Sequence, residues 1–295
     1  MPQANVNGIQ IEYETFGDKS SQPLLLIGGL GVQLIYWQDE FCTKIADQGY
    51  YVIRYDNRDT GLSTKFNEVS LTEAMEKIGA LFMGEKVPVP YSIEDMASDA
   101  AGLLDFLDIN QAHICGMSMG GYIAQIFAIN NPSITLSLTS IYSHSGNRKE
   151  FLPTQKIMEA MLTPTPEERG KYIEYMVNFF KLVYGSGLPF DDSFHQNLFG
   201  RSYDRSFCPE GVARHYLAIM TQKDRASDLE KLIIPTLIIH GDDDPLVPLV
   251  GGKATADAIP NSELKIIKGM GHALPNLKTY WSDILDEMVK HMSSL

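Results

Sequence analysis

The chain has 295 residues, of which 44% are hydrophobic, and a formal net charge of −13. This length accommodates one large α/β domain, with or without an inserted subdomain. The negative charge argues against nucleic acid or an anionic membrane as the main partner, because phosphate groups are neutralised by Lys and Arg. The N-terminus shows no secretory signal and no apolar stretch reaches the length of a membrane span, so we expect a cytoplasmic protein.

The first half of the chain alternates strand and helix patterns. Alternating residues around Asn7-Gly8 predict a hairpin over 3–17. Continuous apolar runs predict buried strands at 23–27, 51–55, 113–115 and 134–142, separated by helical patterns near Phe41, over 92–107 and over 121–128. This alternation predicts βαβ units and a mostly parallel sheet. Residues 64–91 are loosely patterned, with Pro88 and Pro90 near the end, and we assign no element to them.

The composition changes near Ser143. Between 144 and 227 there is no clear buried strand, whereas helical patterns cover 153–162, 166–184 and 208–223. Buried strand patterns return at 232–240 and 264–268, and an amphipathic helix is predicted over 277–292. We therefore expect an α/β core formed by residues 1–143 and 228–295, with a helical cap inserted at 144–227.

The stretch 113–122 contains Gly116-Met-Ser118-Met-Gly120 between a predicted strand and a predicted helix. Strand, Gly-x-Ser-x-Gly and helix form the context of a nucleophile elbow, in which a sharp turn presents the serine. A side chain two residues before or after Ser118 would collide with neighbouring backbone, so both positions require glycine. Ser118 is the candidate nucleophile.

Three further strand ends carry glycine or polar residues: Gly28-Gly-Leu-Gly31, His240-Gly-Asp-Asp-Asp-Pro245 and Gly269-Met-Gly-His272. Ligand sites in open α/β sheets form beyond the carboxyl ends of the strands. A serine needs a base to become nucleophilic, and that base needs a carboxylate to orient it. The chain order of Ser118, then one of three aspartates, then His272 satisfies this requirement.

These motifs together resemble the α/β-hydrolase fold family over the whole chain. The matching pieces are the glycine loop at 28–31, the elbow, the Gly-x-x-Asp-x-x-Val-Pro pattern at 241–248 and Gly-x-Gly-His at 269–272. The resemblance implies a mostly parallel eight-stranded sheet flanked by helices. The stretch 54–63 is similar to the aclacinomycin methylesterase-like branch of this family.

The resemblance also implies roles for individual residues. The catalytic acid is Asp244, three residues after Gly241, and the triad is Ser118, Asp244 and His272. The oxyanion hole consists of the backbone N–H groups of Leu30 and Met119. The family has His-Gly where this chain has Gly28-Gly29, so a supporting histidine side chain is absent there.

Each candidate residue has a structural alternative. Asp242, Asp243 and Asp244 could cap a helix or hold a hard cation, although we expect no metal site. The polar loop 56–63 favours a buried network that supports the elbow over direct catalysis. We expect structural roles for the remaining histidines, of which His144 could line a pocket and His240 could lie near the site: His113, His144, His195, His215, His240 and His291.

We therefore expect a cofactor-independent serine hydrolase that cleaves carboxylic esters of small or medium apolar substrates through an acyl-enzyme. Its partners would be the small-molecule ester and a second copy in a homodimer, with no nucleic acid or membrane partner. The same triad also serves C–C hydrolases, lactonases, amidases and cofactor-free perhydrolases. A ligand-binding or signalling protein on a hydrolase scaffold is the alternative of a different class.

Overall fold

The computed structural model describes residues 2–147 and 153–295. Eight strands form one sheet in the order β1-β2-β4-β3-β5-β6-β7-β8. Strands β3 to β8 are parallel, whereas β2 is antiparallel to both β1 and β4. The strands are β1 Gln3–Val6, β2 Ile9–Phe16, β3 Gln22–Ile27, β4 Tyr50–Tyr55, β5 Ala112–Met117, β6 Thr135–Ile141, β7 Thr236–Gly241 and β8 Glu263–Ile267. This arrangement confirms the predicted mostly parallel, eight-stranded sheet.

The hairpin at the N-terminus turns at the predicted dipeptide. Val6 pairs with Ile9, so Asn7 and Gly8 alone connect β1 to β2. Both residues have positive φ, 49° and 81°. Positive φ at both central positions is the geometry of a type I′ turn, whose twist matches that of the strands.

The central strands are buried on both faces, as their continuous apolar runs predict. Leu24 and Leu26 of β3 pack into one hydrophobic cluster, and Leu25 and Ile27 pack into a second one on the opposite face. Successive side chains of a strand point to opposite faces, so one strand contributes to both layers of the core.

Eleven α-helices belong to the described part of the chain. Five of them, α5 to α9, lie between β6 and β7, in the segment where the sequence predicts an insertion. The helices are α1 Asp39–Ala46, α2 Leu71–Phe82, α3 Ile93–Phe106, α4 Met119–Asn130, α5 Gln155–Met161, α6 Arg169–Val183, α7 Asp192–Arg205, α8 Pro209–Thr221, α9 Ala226–Leu229, α10 Leu249–Ala258 and α11 Trp281–Ser293. A 3₁₀ turn covers Leu34–Tyr36.

Two helices begin at residues that are typical of helix starts. The side chain of Ser92 accepts from the N–H of Asp95, whose carboxylate accepts from the N–H of Ser92, so the variant capping box is present. Pro209 occupies the first turn of α8, where its missing N–H leaves no helical hydrogen bond unmade.

Residues 64–91, to which no element was assigned from the sequence, contain α2. Ser70 and Glu73 form a capping box at its start, a Ser-x-x-Glu signal that the analysis overlooked. Ala74 and Ile78 are the buried residues of α2, while Leu71, Met75 and Phe82 are exposed. These five apolar residues recur at helical spacing and share one face of the helix, so the sequence contains both the periodic pattern and the capping signal. Helix α7 was also missed.

No helix in the described ranges is long and apolar enough to cross a membrane.

Candidate active site

The turn between β5 and α4 presents Ser118 with strained backbone. Its φ is 56° and its ψ is −124°, a conformation that non-glycine residues rarely adopt. The N–H of Ser118 donates to the carbonyl of Ile141 at 2.9 Å, and the hydroxyl of Ser143 donates to the carbonyl of Ser118 at 2.7 Å. The end of β6 therefore holds the backbone of this turn on both sides of Ser118.

Close backbone packing explains both glycines of the motif. A Cβ atom at position 116 would lie 2.0 Å from the carbonyl oxygen of Gly120. A Cβ atom at position 120 would lie 2.2 Å from the carbonyl oxygen of Ile27, at the end of β3. Both distances are far below van der Waals contact, so an alanine at either position would displace backbone rather than a flexible side chain. The sequence argument for these two glycines is confirmed.

Asp244 and His272 form a buried hydrogen-bonded pair. Asp244 follows β7, His272 follows β8, and Oδ2 of Asp244 lies 2.7 Å from Nδ1 of His272. Oδ1 of Asp244 accepts from the N–H groups of Leu246 and Val247 at 2.9 Å. A carboxylate can only accept, so Nδ1 of His272 carries the proton and Nε2 is left as the basic nitrogen.

The neighbouring carboxylates have other partners. Asp242 accepts from the N–H of Gly269 at 2.5 Å, and Asp243 accepts from the N–H of Ser186 at 2.8 Å. The three aspartates therefore hold three different segments of backbone. Within the described ranges, no group of three or more His, Cys, Asp or Glu side chains is arranged to hold a metal ion.

Ser118 and His272 line the same cavity. No hydrogen bond joins the hydroxyl of Ser118 to His272 among the described residues. Catalytic hydrogen bonds are often long without substrate and shorten in the Michaelis complex. The structure thus brings Asp244 and His272 into direct contact, and it places Ser118 in the lining of the same cavity as His272.

The glycine loop after β3 crosses over the serine. A Cβ atom at Gly29 would lie 3.2 Å from Cβ of Ser118, so the backbone of this loop approaches the elbow closely. Leu30, the next residue, lines the cavity. Met119 is the first residue of α4, where an N–H has no acceptor within the helix. The two backbone groups implied as oxyanion donors therefore come from the two segments that meet at Ser118.

Buried polar side chains hold this loop at three points. Asn57 donates to the carbonyl of Gly28 at 3.1 Å, and Asp56 accepts from the N–H of Leu34 at 2.7 Å. Between them, the N–H of Gly31 donates to Nδ1 of His215 at 3.2 Å. The predicted network at 56–63 is confirmed as buried, and it holds the glycine loop rather than the elbow directly.

His215 acts as a neutral bridge in this network. Since Nδ1 accepts from Gly31, Nε2 carries the proton and donates to the carbonyl of Arg58 at 2.7 Å. Burial lowers the pKa of His215 to about 4. The imidazole is therefore neutral near pH 7, which keeps its acceptor nitrogen available to the glycine loop.

Two buried ion pairs tie the polar loop to the helices between β6 and β7. Asp56 lies 2.7 Å from Arg205 of α7, and Asp59 accepts from Arg214 of α8 at 2.8 and 2.9 Å. Burial raises the pKa of Asp59, but hydrogen bonds from Arg214, Tyr91 and the N–H of Phe66 outweigh this effect and lower it. The sequence analysis did not identify these arginines, because their partners lie about 150 residues away along the chain.

The cavity has a volume of about 640 Å³ and is mostly apolar. Its lining includes carboxylates at Asp59, which is paired with Arg214, and at Glu76; no Lys or Arg of the described residues lines it. Such volumes are typical of small-molecule sites. Three helices supply apolar residues to the lining of the cavity: Leu71, Met75 and Phe82 of α2, Met176 and Phe179 of α6, and Val212 of α8.

The other histidines form hydrogen bonds or packing contacts that account for their positions. His113 pairs with Ser137 at 2.8 Å near the start of β5, and burial lowers its pKa to about 4. His240 bonds to the carbonyl of Val247 at 2.8 Å, so it closes the loop that carries Asp244. His144 lines the cavity, where its ring packs on Tyr122 with centroids 4.7 Å apart. His195 is a buried residue of α7 and packs among aromatic rings, and His291 is buried in α11.

A family model for the α/β-hydrolase fold matches residues 22–275. The chain belongs to this family and is therefore an enzyme of the α/β-hydrolase class. Among curated proteins, the rhodomycin D methylesterases DauP of Streptomyces sp. (strain C5) and DnrP of Streptomyces peucetius are each 30% identical to it. Each similarity covers 89% of this chain and 88% of the relative. The predicted likeness to the methylesterase branch is confirmed.

A solved structure supports the same fold. The enol-lactonase from Burkholderia xenovorans LB400 superposes with a TM-score of 0.72 over 100% of both chains, at 19% sequence identity. Identity at this level shows a shared architecture and leaves the reaction open.

Proposed function

We propose that the chain is a serine carboxylesterase in which Ser118, His272 and Asp244 form the catalytic triad. The observation that carries the proposal is the Asp244–His272 pair, which opens onto the same cavity as the strained Ser118 turn. The methylesterase relatives support an ester as the scissile bond.

In this proposal His272 works as a base and then as an acid. Nε2 takes the proton of the Ser118 hydroxyl while the oxygen attacks the ester carbonyl, and Asp244 stabilises the imidazolium that forms. The same proton passes to the leaving alcohol, which departs and leaves an acyl group on Ser118. A water molecule then gives a proton to His272 and attacks the acyl carbon. The bond between this carbon and the Ser118 oxygen breaks, His272 returns the proton to that oxygen, and the acid leaves.

The negative oxygen of each tetrahedral intermediate would accept from the N–H groups of Leu30 and Met119. The first turn of α4 carries the positive end of the helix dipole, which stabilises charge at that position. The anchors at Gly28, Gly31 and Leu34 fix the loop before substrate arrives, so little reorganisation is needed when charge develops.

Replacing Ser118 with Ala tests the nucleophile. We expect hydrolysis of p-nitrophenyl esters, and of one methyl ester of a bulky aromatic acid, to fall by at least about 1000-fold, because the acyl-enzyme cannot form. Thermal melting of both proteins controls for folding. Ester turnover that stays near the wild-type rate in a folded variant would refute the assignment.

Replacing Asp244 with Asn tests the acid. The amide nitrogen cannot accept from Nδ1 of His272, so the imidazole loses the tautomer that leaves Nε2 basic, and kcat should fall about 1000- to 10,000-fold. Asp243→Asn is the matched control, since Asp243 is exposed and its carboxylate accepts only from the N–H of Ser186 among its described hydrogen bonds. We expect that variant to retain kcat within about 3-fold.

A larger loss in Asp243→Asn than in Asp244→Asn would move the acid to the neighbouring residue.

The cavity supports an uncharged substrate with a large apolar part. No cationic side chain of the described residues lines the cavity, so an anionic substrate would lose hydration without gaining an ion pair. We propose that residues 144–227 form a cap over the core residues 1–143 and 228–295. Helix α2 belongs to the core by sequence, yet Leu71, Met75 and Phe82 extend the apolar wall outward to the opening.

A charge at Phe82 should separate long substrates from short ones. In Phe82→Asp we expect kcat/KM for p-nitrophenyl decanoate to fall about 10-fold, since the acyl chain loses roughly 1.5 kcal/mol of apolar contact. Turnover of the acetate ester, which is too short to reach α2, should change less than about 2-fold.

Met83→Asp is the matched control for this experiment. It adds the same charge one residue later, on a side chain that is 81% exposed and outside the cavity lining. Equal losses for both acyl lengths, or equal losses in both variants, would contradict a substrate-binding role for α2.

A further inference from the structure

Tyr142, the residue that follows β6, has unusual backbone geometry. Its φ is 37°, in the left-handed region that bulky residues avoid, and its side chain is buried. Such a conformation persists only where the surroundings fix it, and it often occurs at functional sites. Tyr142 also lines the cavity that contains Ser118 and His272.

Two hydrogen bonds fix the backbone at this point. The N–H of Tyr142 donates to the carbonyl of Ile239 in β7 at 2.8 Å. The hydroxyl of the next residue, Ser143, contacts the carbonyls of Ile141 and Ser118 at 2.9 and 2.7 Å. The turn after β6 is therefore fastened both to the strand that leads to Asp244 and to the serine elbow.

The side chain of Tyr142 contacts both His272 and the residue that follows it. Its ring packs against the imidazole of His272, with centroids 4.1 Å apart and planes inclined by 46°. Its hydroxyl donates to the carbonyl of Ala273 at 3.3 Å. Burial raises the pKa of the Tyr142 hydroxyl well above its usual range, so this group keeps its proton and remains a donor.

We propose that Tyr142 is a positioning residue for His272, in which the ring holds the imidazole against Asp244. This inference rests on the proposed function, since it assigns His272 the role of base. The hydrogen bond to Asp244 fixes one edge of the imidazole but leaves it free to tilt about that bond. The aromatic ring blocks the tilt, and its face attracts the positive charge that His272 gains when it takes the proton.

The carbonyl of Ala273 has a second donor, so the effect of the Tyr142 ring can be tested apart from the effect of its hydroxyl. Trp281 Nε1 also donates to the carbonyl of Ala273, at 2.9 Å, and no contact joins its ring to His272 among the described ring pairs. Trp281→Phe therefore removes the shorter of two hydrogen bonds to this carbonyl, and it keeps an aromatic ring where Trp281 packs edge to face on Tyr142, with centroids 6.4 Å apart. This variant is the control for losing a hydrogen bond to the segment that carries His272 while the Tyr142 ring is retained.

The test measures kcat and KM for a p-nitrophenyl ester in Tyr142→Leu, Tyr142→Phe and Trp281→Phe. We expect Tyr142→Leu to lower kcat about 10- to 30-fold with KM changed less than about 3-fold. Tyr142→Phe keeps the ring and should retain kcat within about 3-fold, as should Trp281→Phe. If Tyr142→Leu does not fold, Tyr142→Asn replaces it, because Asn accepts positive φ more readily.

Proton NMR provides a readout that does not depend on turnover. A proton held between Nδ1 of His272 and Asp244 should give a far-downfield resonance that is present in wild type and Tyr142→Phe and is lost in Tyr142→Leu. A folded Tyr142→Leu protein with unchanged kcat and an unchanged resonance would overturn the inference. If wild type shows no serine-dependent turnover, the proposed function fails, while the resonance still decides whether Tyr142 holds His272.

Discussion

The structure depends on how closely three backbone segments meet at Ser118. A Cβ atom is excluded at Gly116 by the turn between β5 and α4 itself, at Gly120 by the end of β3, and at Gly121 by Ser143 in the loop after β6. This packing forces Ser118 into its strained conformation and presents its side chain to the cavity. It also brings the glycine loop over the serine, so the nucleophile and the proposed oxyanion donors share one constraint.

The remaining parts of the site are held by buried polar contacts that cross the chain. Asp56 and Asp59 lose hydration on burial, and each is compensated by an arginine from α7 or α8. These helices lie between β6 and β7, and they also supply His215, which accepts from the glycine loop. The position of that loop is therefore linked to the helices that wall the cavity. Removing one member of such a pair would leave a buried charge unpaired.

The sequence predicted those features that depend on residues close together in the chain. The glycines around Ser118, the dipeptide Asn7-Gly8 and the succession of strands each follow from short patterns, and the structure bears them out. The triad was assembled from strand ends and from family likeness, and the structure pairs two of its members directly, Asp244 and His272. Its catalytic role remains a proposal.

What the sequence did not predict depends on contacts between distant residues. Arg214 and His215 have no local marker that links them to Asp59 or Gly31, and their pairing is fixed only when α8 packs on the core. Tyr142 occupies a left-handed conformation without being glycine or asparagine, so its residue type does not predict this conformation. Helix α2 is an exception, because its capping signal and its apolar residues at helical spacing are both local features of the sequence.

Labelling with a fluorophosphonate, followed by mass spectrometry of the peptides, tests the central claim most directly. The reagent phosphonylates an activated serine and needs no knowledge of the substrate. The account predicts one modified residue, Ser118, with modification greatly slowed in Asp244→Asn. Absence of labelling in the folded wild-type protein, or modification of another serine while Ser118 stays intact, would contradict it.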